Sequence, residues 1–235
     1  MDDASARLEA VRTRIRDACA ACGRRPEDVE LIAVSKTFPA DAIREVHQAG
    51  QTVFGESRQQ EAAPKIAMLP GGLKWHFIGS VQRNKVRKLL PLFDVIHAVD
   101  SLRLAAHIDE VAAELGLFPK VFLQVNLAGE ETKGGYTPEM LERDLPALLE
   151  LRRMEILGLM TIPPEGPDAE SARPWFAALR CLRDRLQSVY QAGLPGLSMG
   201  MSGDFEVAIA EGATHVRVGS AIFGKRAYRV EGELG

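Results

Sequence analysis

The 235-residue chain has little that would tie it to a membrane, a nucleic acid or an oxidising compartment. No apolar run approaches the ~20 residues that a membrane helix needs. The opening "MDDASARLEA" lacks the basic-then-apolar order of a signal peptide. With 29 basic against 32 acidic residues the net charge is −3. That excludes non-specific attraction to nucleic acid or anionic membrane as the main activity. There are only three cysteines, Cys19, Cys22 and Cys181, and an odd count suits a reducing cytoplasm better than a disulfide framework. Cys19 and Cys22 form a CxxC, but no second Cys or His pair follows at zinc spacing. The motif sits in "RLEAVRTRIRDACAACG", where Leu8, Val11, Ile15 and Cys19 recur at helical spacing. It reads as small packing residues of an amphipathic helix that Gly23 ends.

What is present is ordinary globular composition, 46% apolar and 26% charged, and enough length for one sizeable core. Eight β-branched runs alternate with helical patterns. They are "VELIAVSK" from Val29, "TVFGES" from Thr52, "KWHFIGS" from Lys74, "FDVIHAVD" from Phe93, "KVFLQVNL" from Lys120, "EILGLMTI" from Glu155, "LSMGMS" from Leu197 and "HVRVGSAIFG" from His215. Amphipathic segments such as 41–49, 82–90, 102–115 and 138–151 lie between them. Near-continuous apolar strands separated by helices predict a parallel sheet covered on both faces. Eight such units predict the α/β class and a single (β/α)8 TIM barrel. The expected domain is 1–235, with an extra helix over 1–24 and a short tail over 225–235. A doubly wound open sheet is the rival.

In such barrels the chemistry lies at the C-terminal strand ends. The polar residues there are Ser35, Lys36, Glu56, Ser57, Ser80, Asp100, Asn126, Thr161, Ser202, Gly219 and Ser220. Lys36 can lay its stem along apolar neighbours and present its amine to the mouth. In "SMGMSGDFEVAIAEG" Ser202 and Gly203 follow strand seven, and Asp204 opens a short helix. Gly219 and Ser220 end strand eight. Backbone N–H groups left bare by glycine, with two hydroxyls, suit a phosphate. Arg217 shares the inward face with Gly219. Buried, it needs either an acidic core partner or the ring of a bound ligand. A phosphate site facing a lysine leaves two chemistries open: a Schiff-base aldolase on a sugar phosphate, or pyridoxal 5′-phosphate (PLP).

"AVSKTFP", "FGES", "WHFIGSVQRNK", "GLMTIPP" and "LSMGMSGDFEVAIAEGATHVRVGSAIFG", in this order along almost the whole chain, resemble the pyridoxal phosphate homeostasis protein family. The resemblance implies a fold-type III PLP barrel similar to the N-terminal domain of alanine racemase. It implies PLP held as an aldimine on Lys36, phosphate at Ser202, Gly219 and Ser220, and Arg217 near the pyridine nitrogen, keeping it unprotonated. His76, Gly79, Asn84 and Lys85 match the family signature on the cofactor side of strand three, with His76 alternatively a core histidine. Met199 either packs on the ring or is a core methionine. Ser57 stands where many relatives carry asparagine, so an amide contact to the cofactor is replaced by a shorter hydroxyl.

The implied function is intracellular vitamin B6 homeostasis: a cytoplasmic, monomeric, non-catalytic carrier that buffers PLP or supplies it to apo-enzymes. It needs no metal, nucleic acid or membrane. A weak amino-acid racemase is the alternative, and the aldolase ranks third. Racemisation needs acid–base groups on both faces of a carbanion. The chain ends soon after strand eight, without the second domain that supplies a tyrosine in alanine racemase. Tyr190 and Tyr228 read as helix and tail, and Tyr136 alone is expected near the mouth. Arg83, Lys85, Arg87 and Lys88 make a basic helix start, read as solvated except at Lys85. Lys133 in "TKGG" reads as a surface lysine, though it is the other amine that could meet PLP.

Overall fold

Short β-branched runs cannot shield both faces alone, so they pair in parallel and take helices as cover. The computed structural model describes residues 3–130 and 133–224. The expected tail and Tyr228 lie outside the described residues. Eight strands form: β1 (Glu30–Val34), β2 (Val53–Glu56), β3 (Lys74–Phe77), β4 (Val95–Val99), β5 (Lys120–Gln124), β6 (Glu155–Met160), β7 (Gly196–Met201) and β8 (His215–Val218). They close into one parallel barrel in chain order, with β1 joined to β8 from Glu30↔His215 to Ala33↔Val218. The expected eight-stranded barrel is the fold observed.

The covering helices are α1 (Ala4–Ala21), α2 (Ala40–Gln48), α3 (Gln59–Met68), α4 (Val86–Leu89), α5 (Leu102–Leu115), α6 (Pro138–Leu149), α7 (Arg173–Tyr190), α8 (Phe205–Ala210) and α9 (Ser220–Phe223). The extra helix, α1, is capped by Asp3, whose carboxylate accepts the Ser5 N–H, and buries Leu8, Val11, Ile15 and Cys19. It packs on α8 and α9. There Arg7 Nε donates to the Ile222 carbonyl at 2.7 Å and Arg24 Nη1 to the Ile209 carbonyl at 2.8 Å. Carbonyls that short helices leave unpaired at their ends are thereby satisfied. Cys19 is buried as a packing residue, while Cys22 caps the helix at the surface.

Two elements differ from expectation. The eighth strand stops at Val218 instead of running to Gly224. Gly219 N–H and Ala221 N–H turn to Ser202 Oγ at 3.2 and 3.5 Å, and the chain coils into α9. The segment 82–90 is not one helix: a 3-10 turn, Arg83–Lys85, precedes the single turn of α4.

The main apolar core lies between strands and helices, with the central side chains of α1, α5, α6 and α7 in it. A second, small apolar cluster of Val95, Ala98, Phe122 and Met160 stands apart from it. Phe122 is in ring contact with His97 and His215, at centroid distances of 4.7 and 4.9 Å. Five of the buried polar residues, His76, His97, Thr161, Ser198 and Arg217, belong to one connected network.

Another buried polar group lies where β1 ends. Glu56 is fully buried; its Oε1 accepts from Ser35 Oγ at 2.7 Å and pairs with Lys65 Nζ at 2.9 Å. Lys65 also donates to the Ser35 carbonyl at 3.2 Å. Ser35 is the residue before Lys36, so the pair fixes the strand end that presents the lysine. Removing one partner of a buried ion pair strands the other charge. Lys65→Met is expected to cost about 3 kcal/mol in urea unfolding. Glu56→Leu with Lys65→Met is expected to recover most of that loss.

Candidate functional site

Beyond Val34 the chain turns sharply: Phe38 N–H donates to the Ser35 carbonyl at 3.0 Å. Thr37 takes φ 72°, the left-handed region that a β-branched residue rarely adopts. Strain of this kind, on the order of 1–3 kcal/mol, persists only where the surroundings impose it. Here Phe38 stacks on Phe223 at 5.0 Å between centroids, tying the β1 exit to α9. Lys36, half-buried, follows Val34 on the inward face.

A cavity of about 310 Å³ opens at this end of the barrel, lined by Lys36, Arg217, Ser202, Gly203, Gly219 and Ser220 among others. Its apolar walls include Ile162 and Met201, two of the few large apolar side chains exposed on the described surface. A larger cavity of about 770 Å³ lies at the opposite end, around the first residues of β1, β3, β5 and β8. Barrel chemistry belongs to the C-terminal strand ends. The smaller cavity, which holds the lysine, is therefore the candidate site.

Two loops build its glycine- and serine-lined wall. At Gly203 an added Cβ would meet no atom within 4 Å, so the backbone there is bare. At Gly219 a Cβ would lie 3.3 Å from the Val34 carbonyl oxygen, crowding β1. Asp204 anchors the first loop by accepting the Met201 N–H at 2.6 Å. Ser202 joins the two loops through the N–H groups of Gly219 and Ala221. Arg217 forms the floor at 4% exposure. Its Nη1 donates to Ser198 Oγ at 2.6 Å and its Nη2 to the Thr161 carbonyl at 3.0 Å. Burial lowers its pKa to about 10, which leaves it cationic at neutral pH. Of the two partners left open for it, the acidic core residue is not observed: no carboxylate pairs with it among the described residues. Asp204 acts on it only through space.

The remaining predicted residues lie elsewhere. His76 is 2% exposed and lines the opposite cavity, its Nδ1 3.0 Å from His97 Nε2. Met199 is fully buried in the main core. Ser57 is half-buried at the end of β2, where a Cβ on Gly79 would strike its carbonyl at 2.2 Å. Asn84 is exposed in a shallow recess with Arg83, Arg103 and His107. Tyr136 lies just past the C-terminal end of β5, but its side chain does not line the cavity; it is fully buried in the main core, and its hydroxyl has no hydrogen-bond partner. The bridge to Val125 draws the ring into the core, where burial raises the phenol pKa. Lys133 is held by Glu130 at 2.6 Å and the Pro163 carbonyl at 3.2 Å. Sequence reasoning missed Ser198 and His97. A histidine centred in the apolar run "VIHAV" was the available signal.

Fold and site together define an alanine-racemase-type barrel with a lysine set opposite a glycine- and serine-lined anion wall. A family model described as the alanine racemase N-terminal domain matches residues 6–227. The chain is 47% identical to the pyridoxal phosphate homeostasis protein of Aquifex aeolicus, over 96% of this chain and 100% of that one. It is 49% identical to the protein of the same name from Pseudomonas aeruginosa, over 93% and 94%. The chain belongs to the pyridoxal phosphate homeostasis protein family. Among solved structures, PipY of Synechococcus elongatus PCC7942 with PLP bound is similar at a TM-score of 0.80 and 46% identity, over 89% of this chain and 100% of that one. Alanine racemase of Clostridium difficile 630 shares the fold, with a TM-score of 0.71 at 18% identity.

Burial holds His76 and His215 neutral down to pKa values of about 3 and about 4, and His97 well below its ordinary value. Unfolded, these rings take up protons near pH 6.5, so below that pH the unfolded state binds more protons and stability falls. Burial raises the Glu30 and Asp204 carboxyls, which work in the opposite sense, as two groups against three. Urea midpoints are therefore expected to be level above pH 7 and to fall from pH 6.5 towards 4. His215→Asn is expected to flatten that slope by up to about 1.4 kcal/mol per pH unit.

Proposed function

We propose that this chain holds PLP reversibly on Lys36 and buffers it for, or supplies it to, apo-enzymes, with little or no turnover. One observation carries the reading: an inward lysine, a bare-backbone anion wall and a buried unpaired guanidinium share one small cavity. These features fit PLP. Its phosphate matches the Ser202–Gly203 and Gly219–Ser220 loops, and its flat ring matches the apolar wall of Ile162 and Met201. Its pyridine nitrogen matches a cation that already donates to Ser198 and Thr161. When bound, PLP supplies an aldehyde that condenses with a primary amine, releasing water.

The side chains would then divide the work. Lys36 provides the amine, positioned by the turn at Thr37 and the Ser35–Glu56–Lys65 cluster. Backbone N–H groups and the Ser202 and Ser220 hydroxyls hold the phosphate. Arg217 donates to the ring nitrogen; a permanent cation there disfavours its protonation and weakens the ring as an electron sink. Ser57 is half-buried at the same strand-end level but does not line the cavity, so its short hydroxyl makes no contact where an amide would be expected to. His76, Asn84 and Met199 support the barrel and its surface rather than the cofactor. Little turnover is supported by Tyr136: among the described residues it is the tyrosine that would offer a second acid–base group, and its phenol is fully buried and does not line the cavity. In this reading the chain works as one barrel domain.

Borohydride reduction of PLP-loaded protein followed by peptide mass mapping tests the assignment. A pyridoxyl mark on Lys36 alone, lost in Lys36→Ala, is the expected result. A mark spread over Lys85 and Lys133 would overturn it. Amino-acid turnover that disappears in Lys36→Ala would overturn the non-catalytic half and favour the weak racemase.

A further inference from the structure

A hydrogen-bonded file runs across the barrel interior from the cofactor-side floor to the opposite mouth. Arg217 Nη1 lies 2.6 Å from Ser198 Oγ, Ser198 Oγ 2.8 Å from His97 Nδ1, and His97 Nε2 3.0 Å from His76 Nδ1. His76 Nε2 then stands 3.7 Å from Glu30 Oε2, beside the larger cavity. We propose that Glu30 is the relayed counter-ion of Arg217, and that Ser198, His97 and His76 are positioning residues carrying its influence to the floor of the PLP site.

The proton positions follow from the ends. A guanidinium has only donors, so Arg217 donates to Ser198 Oγ. The serine proton is then available for His97 Nδ1, which puts the imidazole proton of His97 on Nε2. That proton meets His76 Nδ1, so the His76 proton sits on Nε2 and faces the carboxylate. In the reverse order His76 would aim a lone pair at Glu30, which is repulsive. Every dipole in the favoured order has its negative end towards Arg217 and its positive end towards Glu30. A file polarised by charges at both ends is strengthened in a low-dielectric interior. Neutral rings are required throughout, in keeping with the burial of both histidines.

The charged neighbours are consistent with this pairing. Arg217 faces Asp204 through space and no carboxylate in contact. Glu30 faces Lys74 and Lys120 through space and is approached at 3.4 Å by His215 Nε2. Lys120 is itself paired with Glu155 at 3.6 Å. Glu30 and Arg217 sit on the paired strands β1 and β8, where Arg217 is opposite Ile32, two positions further on. Alternation turns both side chains inward, so the file closes a loop through β7, β4 and β3.

Two measurements test this on the full chain. The first needs no PLP: nitrogen-15 NMR of the histidine and arginine side chains. His97 and His76 are expected as neutral Nε2–H rings from pH 5 to 8. Glu30→Gln is expected to shift the His97 ring and Arg217 Nη signals, although it touches neither. A proton on Nδ1 of either ring, titration near pH 6.5, or unmoved His97 and Arg217 signals in Glu30→Gln would overturn the proposal. The second rests on the PLP reading and follows the ring nitrogen-15 signal and dissociation constant of bound PLP. Glu30→Gln and His97→Phe are each expected to move the signal in one direction and weaken binding about tenfold. The double variant is expected to go no further, because both cut one chain. An unmoved ring signal in a Glu30→Gln chain that still loads PLP, or additive effects, would overturn the file. Expected tautomers in a chain that binds no PLP would overturn the PLP reading and leave the file standing.

Discussion

A guanidinium at 4% exposure inside a barrel, with no carboxylate against it among the described residues, has to be stabilised by oriented dipoles or give up its proton. The barrel of this protein is arranged around that demand. Most barrels fill their interior with layers of branched aliphatic residues. Here two histidines and a serine replace apolar residues at inward positions on β3, β4 and β7, and the apolar interior shrinks to a cluster beside Phe122. Such polar residues inside a small barrel are tolerable only because each finds a partner in the same chain of hydrogen bonds. What the arrangement secures is a cation of fixed position, with donors left over, directly beneath a cavity.

The protein uses lysine at one strand end in two different ways. Lys65 is committed to Glu56 and the Ser35 carbonyl on the helix side of β1. Lys36, one residue past Ser35, projects into the cavity instead. The first lysine makes the second precise, because the strand end it anchors carries a turn with an unfavourable Thr37 conformation. An amine placed to react in a small cavity gains more from a fixed approach than from reach. The Phe38–Phe223 stack extends the same logic across the mouth, joining the lysine loop to the helix that begins at Ser220.

The barrel and the Lys36, Ser202, Gly219 and Ser220 cluster were legible in sequence because each rests on a local pattern. Strand periodicity sets the barrel, and glycine beside serine at a strand end sets a bare backbone. Arg217 was legible as an inward cation, but its partners were not. Ser198 and His97 are 101 residues apart and meet only once the barrel closes. Tyr136 differs for a related reason: its loop position put it near the mouth, while a single bridge to Val125 draws the ring into the core. His76 and Met199 sit inside recognisable motifs, yet a motif constrains a strand as a whole. It does not distinguish residues that line a cavity from those that hold the strand in register or fill the core behind it. Ser220 lines the cavity from the first residue of α9 rather than from the end of β8, because the Gly219 N–H turns to Ser202 Oγ and ends the strand.

The same polar interior that orients the cation makes the fold vulnerable to acid. Three rings held neutral by burial each favour the unfolded chain once protons are plentiful, and Glu30 and Asp204 compensate only in part. A barrel selected for stability alone would use leucine and valine at these positions, and replacing buried polar groups with packed apolar ones is often stabilising. Apolar side chains there would leave Arg217 with the Thr161 carbonyl as its one remaining acceptor within the barrel, and the site with a floor of uncertain charge. The stability forgone is concentrated in the file beneath the cavity and at Thr37 beside the lysine. These are the two places where position and charge, rather than packing, decide what the cavity presents.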